Sequence, residues 1–128
     1  SLQMKQLGVG VAPNGTDGRI DADNDIVAFS SSDIALKENI NPITNALDKV
    51  LSLGGYTFDW KKEREEEHGY TGSDIGVLAQ EVEDVLPTAV RDNCYGNKSV
   101  RYEKIIPLLI ESIKELSKEV ESLKDSKT

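Results

Sequence analysis

Six apolar residues near the end of the chain, Ile106, Leu109, Ile113, Leu116, Val120 and Leu123, follow one another at steps of 3, 4, 3, 4 and 3. This heptad rhythm predicts a helix over residues 105–128 with a narrow apolar seam. With Ile106 at position a, Ile113 and Val120 also fall at a, and the three leucines fall at d. Glu119 at g and Lys124 at the following e are spaced to pair between parallel, in-register helices. A β-branched a layer with leucine at d is the preference of parallel dimers, so the pattern by itself does not specify three chains. The coil is short, and short helices are weak alone; helix and domain are expected to associate together. A helix lying on its own core is the competing arrangement. Its first turns are apolar more widely, at Ile105, Leu108 and Ile110, which predicts that this end docks on its own domain. Pro107 fits only within the first turn or at a kink.

Upstream, Ile43, Ala46, Leu47, Val50 and Leu51 recur at three- and four-residue steps and predict a helix over residues 41–54. Asn41 suits its N-cap, Pro42 its first position, and Gly54-Gly55 its end. Tyr56, Phe58 and Trp60 alternate with Thr57 and Asp59 as in a half-buried strand, where the aromatics read as core. Residues 61–75 are densely charged and predict an exposed loop or protruding hairpin. Ile75–Ala79 reads as a short buried strand. A helix from about Gln80 follows, with Val82 and Leu86 inward and Pro87 as its stop. Thr88–Arg91 and Ser99–Tyr102 are strand candidates joined through Asn93–Asn97.

The first 30 residues alternate turn signals (Gly8, Gly10, Pro13-Asn14-Gly15, Asp17-Gly18) with short β-prone pieces at Leu7–Val11 and Ile26–Phe29. Such strands are too short to make a core alone. They fit the end of an extended β-structure that buries its apolar side chains against partner chains; an unstructured tail is the alternative. The opening residues read as the middle of a longer protein. The fold class expected is therefore α+β: a small mixed domain with a short β-sheet and helices, preceded by a β-rich segment and followed by a long C-terminal helix.

A net charge of -8 over 128 residues weighs against nucleic acid and against an anionic membrane surface, both of which call for a basic face. No run of about 18 apolar residues marks a membrane span. The single cysteine, Cys94, offers neither an internal disulfide nor a metal site, and the single histidine, His68, sits in a charge run and reads as solvated. No metal is expected.

The chemistry lies where the two unlike halves meet, in Ser31-Ser32-Asp33-Ile34-Ala35-Leu36-Lys37. Serine becomes a nucleophile when a base takes its proton, and a lysine serves as that base when desolvation or a neighbouring cation favours the free amine. Ser-Lys pairs are a known variant of the serine-protease arrangement. Five residues do not stack two side chains on one helix face. A turn through Ile34–Leu36 must fold the lysine back, or the pair must meet between subunits. Ile34 and Leu36 offer an apolar setting. Ser30, Ser31 and Ser32 all remain candidates on spacing alone, and a surface turn with no chemistry explains the same residues.

The stretch Ser32-Asp33-Ile34-Ala35-Leu36-Lys37-Glu38-Asn39-Ile40 resembles the opening motif of the peptidase S74 family, the C-terminal intramolecular chaperone domains of phage tail spikes, tail fibres and endosialidases. Further blocks resemble it in the same order: Ala46-Leu47-Asp48 with the Tyr56–Trp60 strand, Gly76–Val82, and Tyr102–Ile110. Ala35 departs from it, since the family often carries a larger polar or basic residue there. The resemblance implies a homotrimer that folds a fibre stem and then cuts itself off just before the motif serine. It implies Ser32 as nucleophile, Lys37 as general base and the Ser31–Ser32 bond as the one cut, with no cofactor. Asp33 and Asn39 are close enough in sequence to orient groups. Residues 1–31 would then be the stem end, both folding client and substrate, residues 32–104 the chaperone and auto-processing domain, and residues 105–128 the trimerisation helix. The setting implied is the host cytoplasm during assembly, with the stem going to the virion tail and the chaperone released. The reading of another class is a permanent trimerisation and tip module that never cuts, with residues 61–75 contacting a host surface. A nucleotide-binding module lacks its phosphate loop.

Overall fold

A computed structural model describes residues 3–127 and divides the chain into two units, Ser1–Glu38 with Thr57–Ile75, and Asn39–Tyr56 with Gly76–Thr128. The architecture is mixed α+β, as the pattern predicts, with its strands arranged as three separate pairs.

In the first unit, β1 (Gln6–Val9) pairs in parallel with β2 (Arg19–Ala22), Leu7 opposite Ile20. The Asn14 side chain holds the turn between them by accepting the Thr16 N–H at 2.9 Å. Gly15, at φ 96°, takes the left-handed bend that other residues resist. The strand expected at Ile26–Phe29 does not form. Ile26, Val27 and Phe29 stand 71%, 80% and 95% exposed, because nothing in a single chain lies against them. A two-stranded pair with this much bare apolar surface is marginal by itself.

The aromatic run forms β3 (Tyr56–Asp59), which neighbours β4 (Ser73–Gly76) in a second sheet. Between them the charged stretch folds into a 3₁₀ turn (Lys62–Arg64) and a short helix, α2 (Glu65–His68), closed by Gly69. The buried strand expected at Ile75–Ala79 is displaced. β4 ends at Gly76 and Ile75 is 74% exposed, the next residues having been drawn into the approach to a helix.

The second unit carries the core. α1 spans Ala46–Leu51, shorter than the helix expected over residues 41–54. Asn41 does not cap it; its side chain donates to the Asn39 carbonyl at 2.9 Å, and Asn45 enters the helix at φ 54°. The cap comes from far along the chain, where the Glu115 carboxylate accepts the Ala46 and Leu47 N–H groups at 3.0 and 2.8 Å. An anion at a helix start satisfies amides that have no partner within the helix. α3 (Ala79–Val85) buries Val82 and stops before Pro87, as predicted. Its Glu81 accepts the Gly54 N–H and the Tyr56 hydroxyl, and that hydrogen bond raises the Tyr56 pKa above the ordinary phenol value. β5 (Val90–Asp92) and β6 (Lys98–Val100) pair antiparallel, joined by a turn in which Asn93 accepts the Tyr95 and Asn97 N–H groups.

α4 runs Ile105–Ser126, with Pro107 in its first turn. Leu108 and Ser112, four residues apart, face inward with Ala46, Val82 and Ala89 in the buried set. Ile105 is half-buried as expected, but Ile110 is 51% exposed and takes no part in the docking, being turned away from the Leu108 face. Leu108 and Val82 are the largest fully buried side chains among the described residues, so the core is small.

Candidate functional site

The backbone between Ser32 and Lys37 makes the turn that the five-residue spacing requires. Ile34–Leu36 is a 3₁₀ helix in which Leu36 N–H donates to Asp33 C=O at 3.0 Å and Lys37 N–H to Ile34 C=O at 3.1 Å. The Asp33 carboxylate accepts the Ala35 N–H at 2.9 Å and caps the turn. Lys37 then returns to extended backbone, and its Nζ donates to Ser32 Oγ at 2.7 Å. Of the three consecutive serines, Ser32 is thus the one that the geometry gives to the lysine. As it stands the amine is the donor; base catalysis needs the reverse, the hydroxyl proton passing along the same line to an uncharged Nζ.

The pair is exposed, and so are Ile34 (76%) and Leu36 (71%). The apolar setting expected around the lysine is therefore not closed by one chain. Asn39 sits at φ 53° and accepts from Asn41, where it shapes the entry to the second unit. All six seam residues of α4 are exposed, from 42% at Leu109 and Val120 to 65% at Ile113, and form a face apart from the Leu108 and Ser112 side.

The first unit holds a second cluster that sequence reasoning missed. Trp60 stacks on Tyr70 with ring centroids 4.6 Å apart, and His68 lies against Trp60 at 4.8 Å. His68 was expected to be solvated; it is half-buried, with Nδ1 accepting the Tyr70 N–H and Nε2 lying 2.8 Å from the Lys61 carbonyl. That pattern fits the tautomer protonated at Nε2. Arg19, from β2, places its guanidinium 4.8 Å above the Tyr70 ring and donates to the Gly69 carbonyl at 2.9 Å, which also accepts from the Asn14 side chain at 3.1 Å. The excursion between β3 and β4 is accordingly held to residues 14–19 rather than standing free. A one-residue aromatic alternation shows Trp60, but nothing in local spacing marks Arg19 or Gly69 as its partners.

Gly69 is fixed by this contact. It sits at φ 72°, and a Cβ there would fall 2.2 Å from Thr16 Oγ1 and 2.5 Å from Asn14 Nδ2. Gly69→Ala is expected to destabilise the first unit by about 1–3 kcal/mol. The single tryptophan, Trp60, reports on the cluster, so its emission during thermal unfolding measures the loss. An unchanged midpoint would show that the contact is dispensable.

Among the described residues, no group of three or more His, Cys, Asp or Glu side chains is placed to hold a metal ion, and no helix is long and apolar enough to cross a membrane.

The family described as Peptidase_S74, chaperone of endosialidase, matches residues 32–91. The chain is 43% identical over 104 residues to the long tail fiber protein Gp37 of Enterobacteria phage K3, a match covering 74% of this chain and 8% of that protein. It is 43% identical over 104 residues to the protein of the same name from Enterobacteria phage T2, covering 74% and 7%. Against the Gp37 of Salmonella phage S16 the identity is 36% over 99 residues, covering 73% and 13%. The chain thus spans less than a tenth of the length of the first two relatives.

Proposed function

The chain belongs to the peptidase S74 family, chaperone of endosialidase, through residues 32–91, and we propose that it assembles a phage tail fibre stem and then detaches itself by one self-inflicted cut. The observation that carries this reading is the 2.7 Å contact between Lys37 Nζ and Ser32 Oγ, made by a capped turn at the start of the matched segment. In this reading residues 1–31 are the stem end, residues 32–104 fold and process it, and residues 105–128 bring three chains together. The fibre relatives support a stem bound for the virion; assembly in the host cell belongs to the same proposal.

The reaction follows from where Ser32 stands. It lies just after the bond to be cut, so its hydroxyl attacks the carbonyl immediately before it. Lys37 takes the hydroxyl proton, Oγ bonds to the Ser31 carbonyl carbon, and the bond from that carbon to the Ser32 nitrogen breaks. The nitrogen leaves as an amine carrying the proton. The resulting ester joins Ser31 to Ser32 Oγ, and water hydrolyses it to a Ser31 carboxylate and a restored Ser32 hydroxyl. No cofactor enters this reaction. Each chain does this once.

Assembly times the reaction. Ile34 and Leu36 flank the pair and are bare in one chain. Neighbouring copies that cover them remove water from the amine, and desolvation favours its uncharged form. The test is intact mass spectrometry of the expressed protein, with two products expected, residues 1–31 and residues 32–128. A single full-length mass from a fully assembled chain, or a cut at another bond, overturns the proposal.

A further inference from the structure

We infer that Asp33 is a positioning residue for the self-cut, acting through its side-chain oxygen as the cap of the turn rather than through its charge; this rests on the Ser32–Lys37 reading above. A fully extended run of five residues would hold Ser32 and Lys37 about 17 Å apart at their Cα atoms, beyond what a lysine side chain spans. A 3₁₀ turn shortens the path to about 2 Å per residue. A three-residue turn is weak, however, because its first N–H groups have no partners within it. Two of the three hydrogen bonds that hold this turn end on Asp33: its carbonyl accepts from Leu36, and its carboxylate oxygen accepts from Ala35 at 2.9 Å. The third, Lys37 N–H to Ile34 C=O, sets the direction of the lysine. Ile34, Ala35 and Leu36 are all exposed, so burial within the chain does not hold the turn. The side-chain cap is the one contribution that a substitution can remove while leaving both reacting groups in place.

Asparagine and serine offer the same capping oxygen without the charge; alanine offers neither. Losing a cap at the usual cost changes a local equilibrium by about two- to thirty-fold, and by about five-fold at its typical value. The rate of cutting in Asp33→Ala, followed by mass spectrometry in the full chain, should therefore fall by that factor. Asp33→Asn and Asp33→Ser should cut within about two- to three-fold of the unaltered chain, since these residues cap nearly as well as Asp. Asp33→Ala cutting at the unaltered rate overturns the inference. So does Asp33→Asn being as slow as Asp33→Ala, which would assign the effect to the carboxylate charge. A second measurement does not depend on cutting or on the alanine variant folding. In a Ser32→Ala chain, the Ala35 amide is expected to exchange its hydrogen more slowly than in a free chain of the same sequence, and exchange at the free-chain rate overturns the cap. A Ser32→Ala chain that still cuts itself would instead remove the proposed reaction and leave the cap standing.

Discussion

With Lys37→Met, the chain is expected to assemble and stay whole, while the unaltered chain appears as two fragments on a denaturing gel. Methionine keeps an apolar stem of similar reach and removes the amine that lies 2.7 Å from Ser32 Oγ. A positioned base contributes about 10²–10⁴-fold, so the loss should stretch cutting well beyond the time of expression. Lys37→Arg sharpens the test. A guanidinium can still donate to the serine but never gives up its proton, so it holds the nucleophile without being able to activate it. It should be as inert as Lys37→Met. If Lys37→Arg cuts at the normal rate, the lysine only positions Ser32 and another group takes the proton. Ser32→Ala should abolish the reaction, whereas Ser32→Thr, which keeps a hydroxyl, should retain part of it.

The second large effect is expected at the seam. Ile113→Asp with Val120→Asp should leave the chain a monomer of about 14.1 kDa by light scattering, against three times that mass for the assembled but uncut Lys37→Met chain. Both positions are exposed in the single chain, at 65% and 42%, and neither contributes to the buried set around Leu108. The damage therefore falls on association, where like charges would meet at each layer. On the proposed reading neighbouring copies cover Ile34 and Leu36, so the same variant should also fail to cut. An unaltered chain that measures as a dimer would agree with its β-branched a and leucine d layers and refute the trimer; a monomer that cuts itself would separate chemistry from assembly.

What the sequence made legible was local or periodic. The heptad steps of Ile106 to Leu123 give α4, Pro87 ends α3, and Asn93 with Gly96 turns β5 into β6. The fold of the Ser32–Lys37 turn was legible because five residues leave few ways for the two side chains to meet. What was not legible depends on residues far apart in sequence. α1 begins at Ala46 rather than at Asn41 because its cap is Glu115, a residue that local rules do not connect to it. His68 lies in a charge run yet packs on Trp60, since an aromatic surface and two backbone partners outweigh the polarity of its neighbours. Ile26–Phe29 has β-prone composition and no strand, because propensity alone does not supply a surface to pack against, and Ile26, Val27 and Phe29 stay exposed in the single chain. Ile75 faces outward for a similar reason: an apolar residue tells that burial is favourable, not which surface supplies it.

α4 is held on one side by Leu108, Ser112 and the Glu115 clamp, and left bare on another. The helix is thus keyed like a splined shaft, its rotational phase set by the domain before any neighbour arrives. Adding a single residue after Glu115 would swing the stripe beyond it by about 100°, so that Leu116, Val120 and Leu123 would no longer line up with Ile106, Leu109 and Ile113.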